Sequence, residues 1–426
     1  MVKLNRIHLK NYKGFTDIKF EFNNQLTCIA GINGSGKSSI LSAISKNLSL
    51  FANKGSFTSK EEYRLKKSDI HLYNNRIEFN EETCIRLVFD VDKTEIDSQN
   101  CITAKGDKFS TSVFTDKIEL LEKQEFPLFC NYGATRTSKD IEKALNKETP
   151  VSDPFYLYRN LTDFENDYEE FFSWFRKRED IENERLIASQ KNGIRDYQYD
   201  EQIQAVRNAI ASFFGKNYEL RVSRVENTLL VKNDKNEIPF TSLSDGEKSL
   251  LLLFGDIARK LAITSSFEFK DLPQNSKEIL NRNGIILIDE IDLHLHPSWQ
   301  RKVCKALKET FPNCQFVITT HSPQVLGELK TDEIWLLNDF NVYRPDSSYG
   351  LTSNEVLDEI MDVIEDDNSL SRNGEISRKI QDLKLFVELG KIKEAKNLIK
   401  EIEKETGNEL HDVNAYKIAI EMMENE

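Results

Sequence analysis

An apolar run, Leu26-Thr-Cys-Ile-Ala30, leads directly into Gly31-Ile-Asn-Gly-Ser-Gly-Lys-Ser38, and Ser38–Leu48 then shows helical character. A strand that becomes a helix through a glycine-rich turn constrains the fold severely. It belongs to layered α/β sheets, where the helix start lies over the carboxyl edge of the strands. The spacing matches G-x-x-x-x-G-K-[ST], the Walker A phosphate loop. Glycines let backbone N–H groups curl around phosphate oxygens, and the helix N-terminus adds partial positive charge. Asn33, Gly34, Ser35, Gly36, Lys37, Ser38 and Ser39 are therefore the candidate ATP contacts. Lys37 is placed to reach the β- and γ-phosphates, and Ser38 to ligate Mg²⁺.

The partner of such a loop is an apolar strand that ends in acids. Ile285-Ile-Leu-Ile-Asp-Glu290 supplies one. Asp289 is the candidate to hold Mg²⁺ through water, and Glu290 to orient or deprotonate the attacking water.

Composition removes several classes. Among 426 residues, 71 are acidic and 58 basic, a formal net charge of -13. A whole-surface electrostatic grip on DNA is excluded, whereas a local basic groove is not. No run approaches the roughly 18 to 20 apolar residues of a membrane span. The start, Met1-Val-Lys-Leu-Asn-Arg, carries no apolar signal region, so a cytoplasmic location without membrane contact is expected. Six scattered cysteines without a CxxC pair predict reduced thiols, not a disulfide framework or a zinc site.

Leu243-Ser-Asp-Gly-Glu-Lys248 precedes an apolar helix and lies upstream of the acid pair. This segment resembles the signature motif of ABC-type ATPases in their chromosome-maintenance and DNA-repair form, the SMC-, RecF- and OLD-like group. The resemblance implies that Ser244, Gly246 and Glu247 bind the γ-phosphate of ATP held by a second protomer. Ser244 or Asp245 also suits a helix N-cap. Asp292 resembles the dimer-contacting D-loop. His321, in Thr319-Thr-His-Ser-Pro323, resembles the switch histidine that senses the γ-phosphate and is a second candidate catalytic residue. His294-Leu-His-Pro297 has metal-like spacing, but no further His or Cys cluster accompanies it. The glutamine that normally contacts Mg²⁺ in this family is missing after Phe126–Tyr132, and Asn131 or Arg136 stands in its place. Lys13, in Asn11-Tyr-Lys-Gly14, is a weak candidate beside the nucleotide.

The sequence divides into an ATPase lobe at 1–138, a helical insertion at 139–216, a second lobe at 217–350 and a helical tail at 351–426. The expected fold class is α/β: an ABC-type head of mixed sheets layered with helices. Residues 139–215 lack sustained heptads, so long coiled-coil arms are not expected. Phe155, Phe164, Tyr168, Phe171, Phe172, Trp174 and Phe175 read as a packed subdomain or as a contact surface. The tail offers no acid arrangement for a two-metal nuclease.

Together these features are similar to the stand-alone ATPases of bacterial antiphage systems, above all the Septu ATPase subunit (PtuA) family, including versions found beside retrons. The resemblance implies ATP hydrolysis, a homodimer or higher oligomer, and a partner HNH nuclease. In retron versions it adds a reverse transcriptase with its RNA–DNA hybrid. The alternative is a RecF- or SMC-like repair ATPase that binds DNA directly, and a non-hydrolysing scaffold is the third reading.

Overall fold

The computed structural model describes residues 1–54, 63–71, 82–105, 108–115, 127–134, 145, 157–158, 161–162, 168–192, 199–233, 236–268, 275–361, 374–406 and 410–424. The chain forms two compact units, Met1–Gly350 and Leu351–Glu426.

In the first unit, β1 (Val2–Tyr12) and β2 (Phe15–Glu21) pair as a hairpin. They join β4 (Glu82–Val91), β5 (Thr94–Lys105) and β6 (Lys108–Thr115) in an antiparallel sheet of order β2-β1-β4-β5-β6. Alternation along β1 and β4 puts Leu4, Ile7, Leu9, Ile85 and Leu87 inside and charged residues outside. The β5–β6 hairpin is poorly legible in the sequence, because an exposed edge strand carries polar residues that read as loop. Cys84 and Cys101 lie directly opposite one another on β4 and β5 and form a disulfide, which corrects the expectation of six free thiols. Cys28, Cys130, Cys304 and Cys314 are free and buried.

The second sheet has the order β14-β13-β3-β12-β11-β7. Its strands are β3 (Leu26–Gly31), β7 (Leu128–Tyr132), β11 (Gly284–Ile288), β12 (Cys314–Thr320), β13 (Ile334–Asn338) and β14 (Asn341–Tyr343). All neighbours are parallel except the β13–β14 pair. β3, β7, β11 and β12 are buried throughout, as continuous apolar runs in a covered parallel sheet should be. Helix α1 (Lys37–Lys54) contacts strands of both sheets. Gln315 on β12 locks the sheets together: its amide exchanges two hydrogen bonds with the backbone of Leu4 and donates a third to Asn23 O.

Helices α2 (Glu169–Lys191) and α3 (Glu201–Phe214) lead to a small sheet of β8 (Glu219–Ser223), β9 (Thr228–Lys232) and β10 (Glu237–Pro239). Asp200 caps α3, accepting from the N–H groups of Gln202 and Ile203. Tyr168, Phe171, Phe172, Trp174 and Phe175 are all buried, so this cluster is core and not a contact surface. Phe155 and Phe164 lie outside the described residues. Helix α4 (Asp245–Glu268) follows, then α5 (Ser276–Leu280), α6 (Pro297–Thr310) and α7 (Pro323–Leu326).

The second unit holds α8 (Ser353–Val356), α9 (Gly374–Glu388), α10 (Ile392–Thr406) and α11 (His411–Glu424). Leu383, Val387, Ala395, Ile399, Ile402, Val413 and Ile420 form its core.

Candidate functional site

The parallel strands bring four loops to one edge of the six-stranded sheet. The turn after β3 carries 31–38, β11 ends at Asp289 and Glu290, β12 leads to His321, and β7 ends at Tyr132. Gly36 has φ 107°, and a Cβ there would lie 2.6 Å from the Phe15 ring. Only glycine fits both conditions.

Lys37 is almost fully buried. Its ammonium donates to the carbonyls of Gly31 (2.8 Å) and Ile32 (2.9 Å), which leaves one N–H for a further acceptor. Burial lowers its pKa, and the carboxylates of Asp289, Glu290 and Asp292 oppose that shift. Ser38 Oγ donates to Asp289 Oδ2 at 2.8 Å. Asn33 and Gly34 are exposed, and Ser39 is half-buried.

Thr319, on the neighbouring strand, organises both acids. Its hydroxyl donates to Asp289 Oδ1 and accepts the Glu290 N–H at 2.8 Å. Asp289 N–H donates to Tyr132 O at 2.8 Å. Glu290 itself sits at φ 47°, a left-handed conformation that costs a non-glycine residue roughly 1–3 kcal/mol and is typical of functional turns. Thr320 Oγ1 donates to Asp292, and Gln300 ties the following loop to the histidine loop: its amide donates to Asp292 O and Leu295 O, and its carbonyl accepts from Ser322 Oγ. Neither the bridging role of Thr319 nor that of Gln300 follows from motif spacing. The local signal is weak: two threonines, Thr319-Thr320, at the end of an apolar strand.

Burial lowers the His321 pKa, and the Lys37 charge lowers it further, against Asp292 and Asp289. Its Nε2 is buried with no hydrogen-bond partner among the described residues, as is Ser35 Oγ. Two orphaned polar atoms and an ammonium with one N–H left over, around a glycine turn, fit a polyphosphate. A hydroxyl beside a carboxylate fits a hard divalent cation such as Mg²⁺.

Ser244 is exposed and forms a reciprocal cap with Glu247: its N–H and Oγ donate to Glu247 Oε2 at 2.9 and 2.8 Å, and Glu247 N–H donates back to Ser244 Oγ at 3.3 Å. Gly246 is buried against the backbone of His294. His296 accepts the Ser298 N–H and so caps α6. Among the described residues, the one group of three His, Cys, Asp or Glu ligand atoms is Glu82, Cys84 and Cys101, whose sulfurs are joined, so His294 and His296 form no metal cluster. Asn131 donates to Leu161 O, toward the insertion. Arg136 lies outside the described residues. Lys13, at φ 50°, is half-buried, with its pKa lowered by burial.

The chain is an ATPase of mixed α/β fold. The chain belongs to the family described as "AAA domain, putative AbiEii toxin, Type IV TA system", whose model matches residues 26–327. It is similar to the retron Ec83 probable ATPase of Escherichia coli, 30% identical over 84% of this chain and 76% of the relative. The Septu protein PtuA of Bacillus thuringiensis is 24% identical over 85% of this chain and 84% of its own length. Among solved structures, the SMC head domain from Thermotoga maritima aligns with 78% of this chain and 94% of its own at 17% identity and a TM-score of 0.43. Among the described residues, no helix is long and apolar enough to cross a membrane.

Proposed function

We propose that this chain binds ATP and Mg²⁺ at the edge formed by Asn33–Ser39, Asp289, Glu290 and His321, and that a second copy completes each pocket with its Ser244, Gly246 and Glu247. The observation that carries the reading is the Ser38–Asp289 contact at 2.8 Å, which joins residues 251 positions apart beside the Lys37 ammonium. Lys37 and the N–H groups of the 31–38 turn would hold the β- and γ-phosphates. Ser38 and Asp289 would hold Mg²⁺, which supplies charge neutralisation to the phosphoryl oxygens. Glu290, oriented through Thr319, would accept the proton of the attacking water. Neutral His321 would turn its unpartnered Nε2 to the γ-phosphate. The exposed, pre-capped Ser244 turn would offer a hydroxyl and helix N–H groups to the nucleotide of the facing copy.

The assembly is then a homodimer or higher oligomer that closes on ATP and opens after hydrolysis. The retron and Septu relatives support a place in antiphage defence, in which this closure restrains or releases a partner HNH nuclease. In a retron setting, a reverse transcriptase and its RNA–DNA hybrid would join the complex. Light scattering with and without ATP, run on the wild type and Glu290→Gln, tests the reading. The expected result is an ATP-dependent rise in mass that persists longest in the variant. Equal mass in every condition, with ATP bound, would remove the shared pocket.

A further inference from the structure

The solvent face of the five-stranded sheet carries a feature that ATP chemistry does not use. Strand register puts Lys19, His8 and Arg86 side by side on β2, β1 and β4. No acid stands in this row, which continues to Gln99 on β5. Arg6 stands on the same face, two residues along β1. Beyond the row, Arg344 lies flat on Trp335, its guanidinium carbon 3.7 Å from the ring centroid. These six side chains line a groove of about 700 Å³, in which Glu21 is the one acidic lining residue among the described residues.

The neighbouring acids do not close the groove. Glu95 pairs with Arg6 at 2.9 Å, Asp17 with His8 at 2.8 Å, and Asp97 with Arg86 at 2.6 Å. The Arg6–Glu95 and His8–Asp17 pairs reach solvent, where such contacts are weak, whereas Asp97 grips Arg86 through both carboxylate oxygens and fixes the orientation of its half-exposed guanidinium. Lys19 is exposed and forms no ion pair among the described residues. Arg344 is held by the carbonyls of Thr331, Asp332 and Ile334, so its plane is fixed.

We infer that this groove binds a single-stranded polynucleotide, with Lys19, Arg86 and Arg6 on successive phosphates and a base stacked on the Arg344–Trp335 platform. Two features favour it over an acidic polypeptide. A rigid guanidinium plane backed by an aromatic ring offers a base a stacking surface. At the far end of the same row, Phe114 on β6 is 58% exposed opposite Gln99, and a second base can cover it. On a chain of net charge -13, this cluster is a local exception. The inference does not depend on the nucleotide reading above, since none of these residues belongs to that edge.

The test uses the full chain, a fluorescein-labelled 20-nucleotide oligothymidine, and anisotropy titrations from 50 to 300 mM KCl. Wild type should bind, and Lys19→Gln/Arg86→Gln should bind about 10-fold more weakly at 100 mM salt. Its log–log salt slope should fall by about 1.4, two phosphate contacts at roughly 0.7 each. ATP turnover without oligonucleotide should be unchanged, which also shows that the variant folds. The inference is overturned if wild type does not bind, if the double variant keeps affinity and slope, or if a 20-base-pair duplex binds as tightly. Displacement of the label by polyglutamate as effectively as by unlabelled oligothymidine would overturn it in favour of an acidic polypeptide.

Discussion

The carbonyl oxygen of His294 occupies the space where a side chain on Gly246 would stand: a Cβ built there comes within 2.5 Å of it. His294 is itself in the left-handed region, at φ 62°. The turn that opens α4 therefore rests on the loop that follows Asp289 and Glu290, backbone against backbone. Gly246→Ala must push these two loops apart, at a cost of about 1–3 kcal/mol. The expected result is a lower melting temperature together with ATP turnover reduced at least 10-fold. Wild-type turnover in this variant would separate the α4 turn from the chemistry.

Lys37→Ala removes the ammonium that the 31–38 turn folds around. Hydrogen bonds to charged groups are each worth about 1.5–3 kcal/mol. Affinity for a fluorescent ATP analogue should fall roughly 100-fold, as measured by equilibrium titration.

A shared pocket makes a sharper prediction. Neither Lys37→Ala nor Ser244→Arg should turn over ATP alone. A mixed dimer of the two carries one doubly damaged pocket and one intact pocket. Mixing the purified variants should restore up to about a quarter of wild-type turnover, given random pairing into dimers that hold two pockets. No recovery after exchange has been verified by mass would contradict the arrangement.

Thr319→Val should separate geometry from charge. The hydroxyl that bridges Asp289 and the Glu290 N–H disappears, while side-chain shape is nearly kept. Turnover is expected to fall about 10- to 100-fold with ATP affinity within 3-fold, because Glu290 is misplaced but Lys37 is not. Glu290→Gln should fall further, about 100- to 10,000-fold. Phosphate-release assays at saturating ATP compare the two.

Asp256 on α4 is buried with Arg259 (2.7 Å), Lys260 (2.9 Å) and the Tyr132 hydroxyl (2.9 Å). Burial alone would raise its pKa, but the two cations outweigh burial and hold it at about 2. A depressed carboxylate pKa stabilises the fold fully above the unfolded value, near 4, and that contribution is lost as pH falls through about 2. Urea melts should show Asp256→Asn losing less stability than wild type between pH 4 and pH 2. At pH 7, Asp256→Ala leaves buried cations uncompensated, about 3–5 kcal/mol and a melting temperature roughly 5–10 °C lower.

Much of the edge is legible in the order of residues. The strand–glycine–helix turn at 26–48, the acids after Ile285–Ile288 and the histidine after Cys314–Thr320 are contiguous patterns whose local geometry follows from propensity and burial. The β5–β6 hairpin is not legible, because its exposed face gives no apolar alternation. Asn131 is a reasonable stand-in for the absent glutamine, yet its side chain turns to Leu161. The aromatic run at 168–175 suits either core or surface, and the helices and strands packed around it decide for core.

The sequence by itself determined that the chain builds a glycine turn ahead of a helix, two acids on a buried strand and a capped serine turn, since each depends only on residues near it in the chain. The tertiary structure alone decided that Ser38 meets Asp289, that Thr319 orients both acids, that Gly246 abuts His294, and that Lys19, His8 and Arg86 form a row. Those relationships are set by how the elements pair and pack, which exists only once segments from 11 to 251 residues apart have come together.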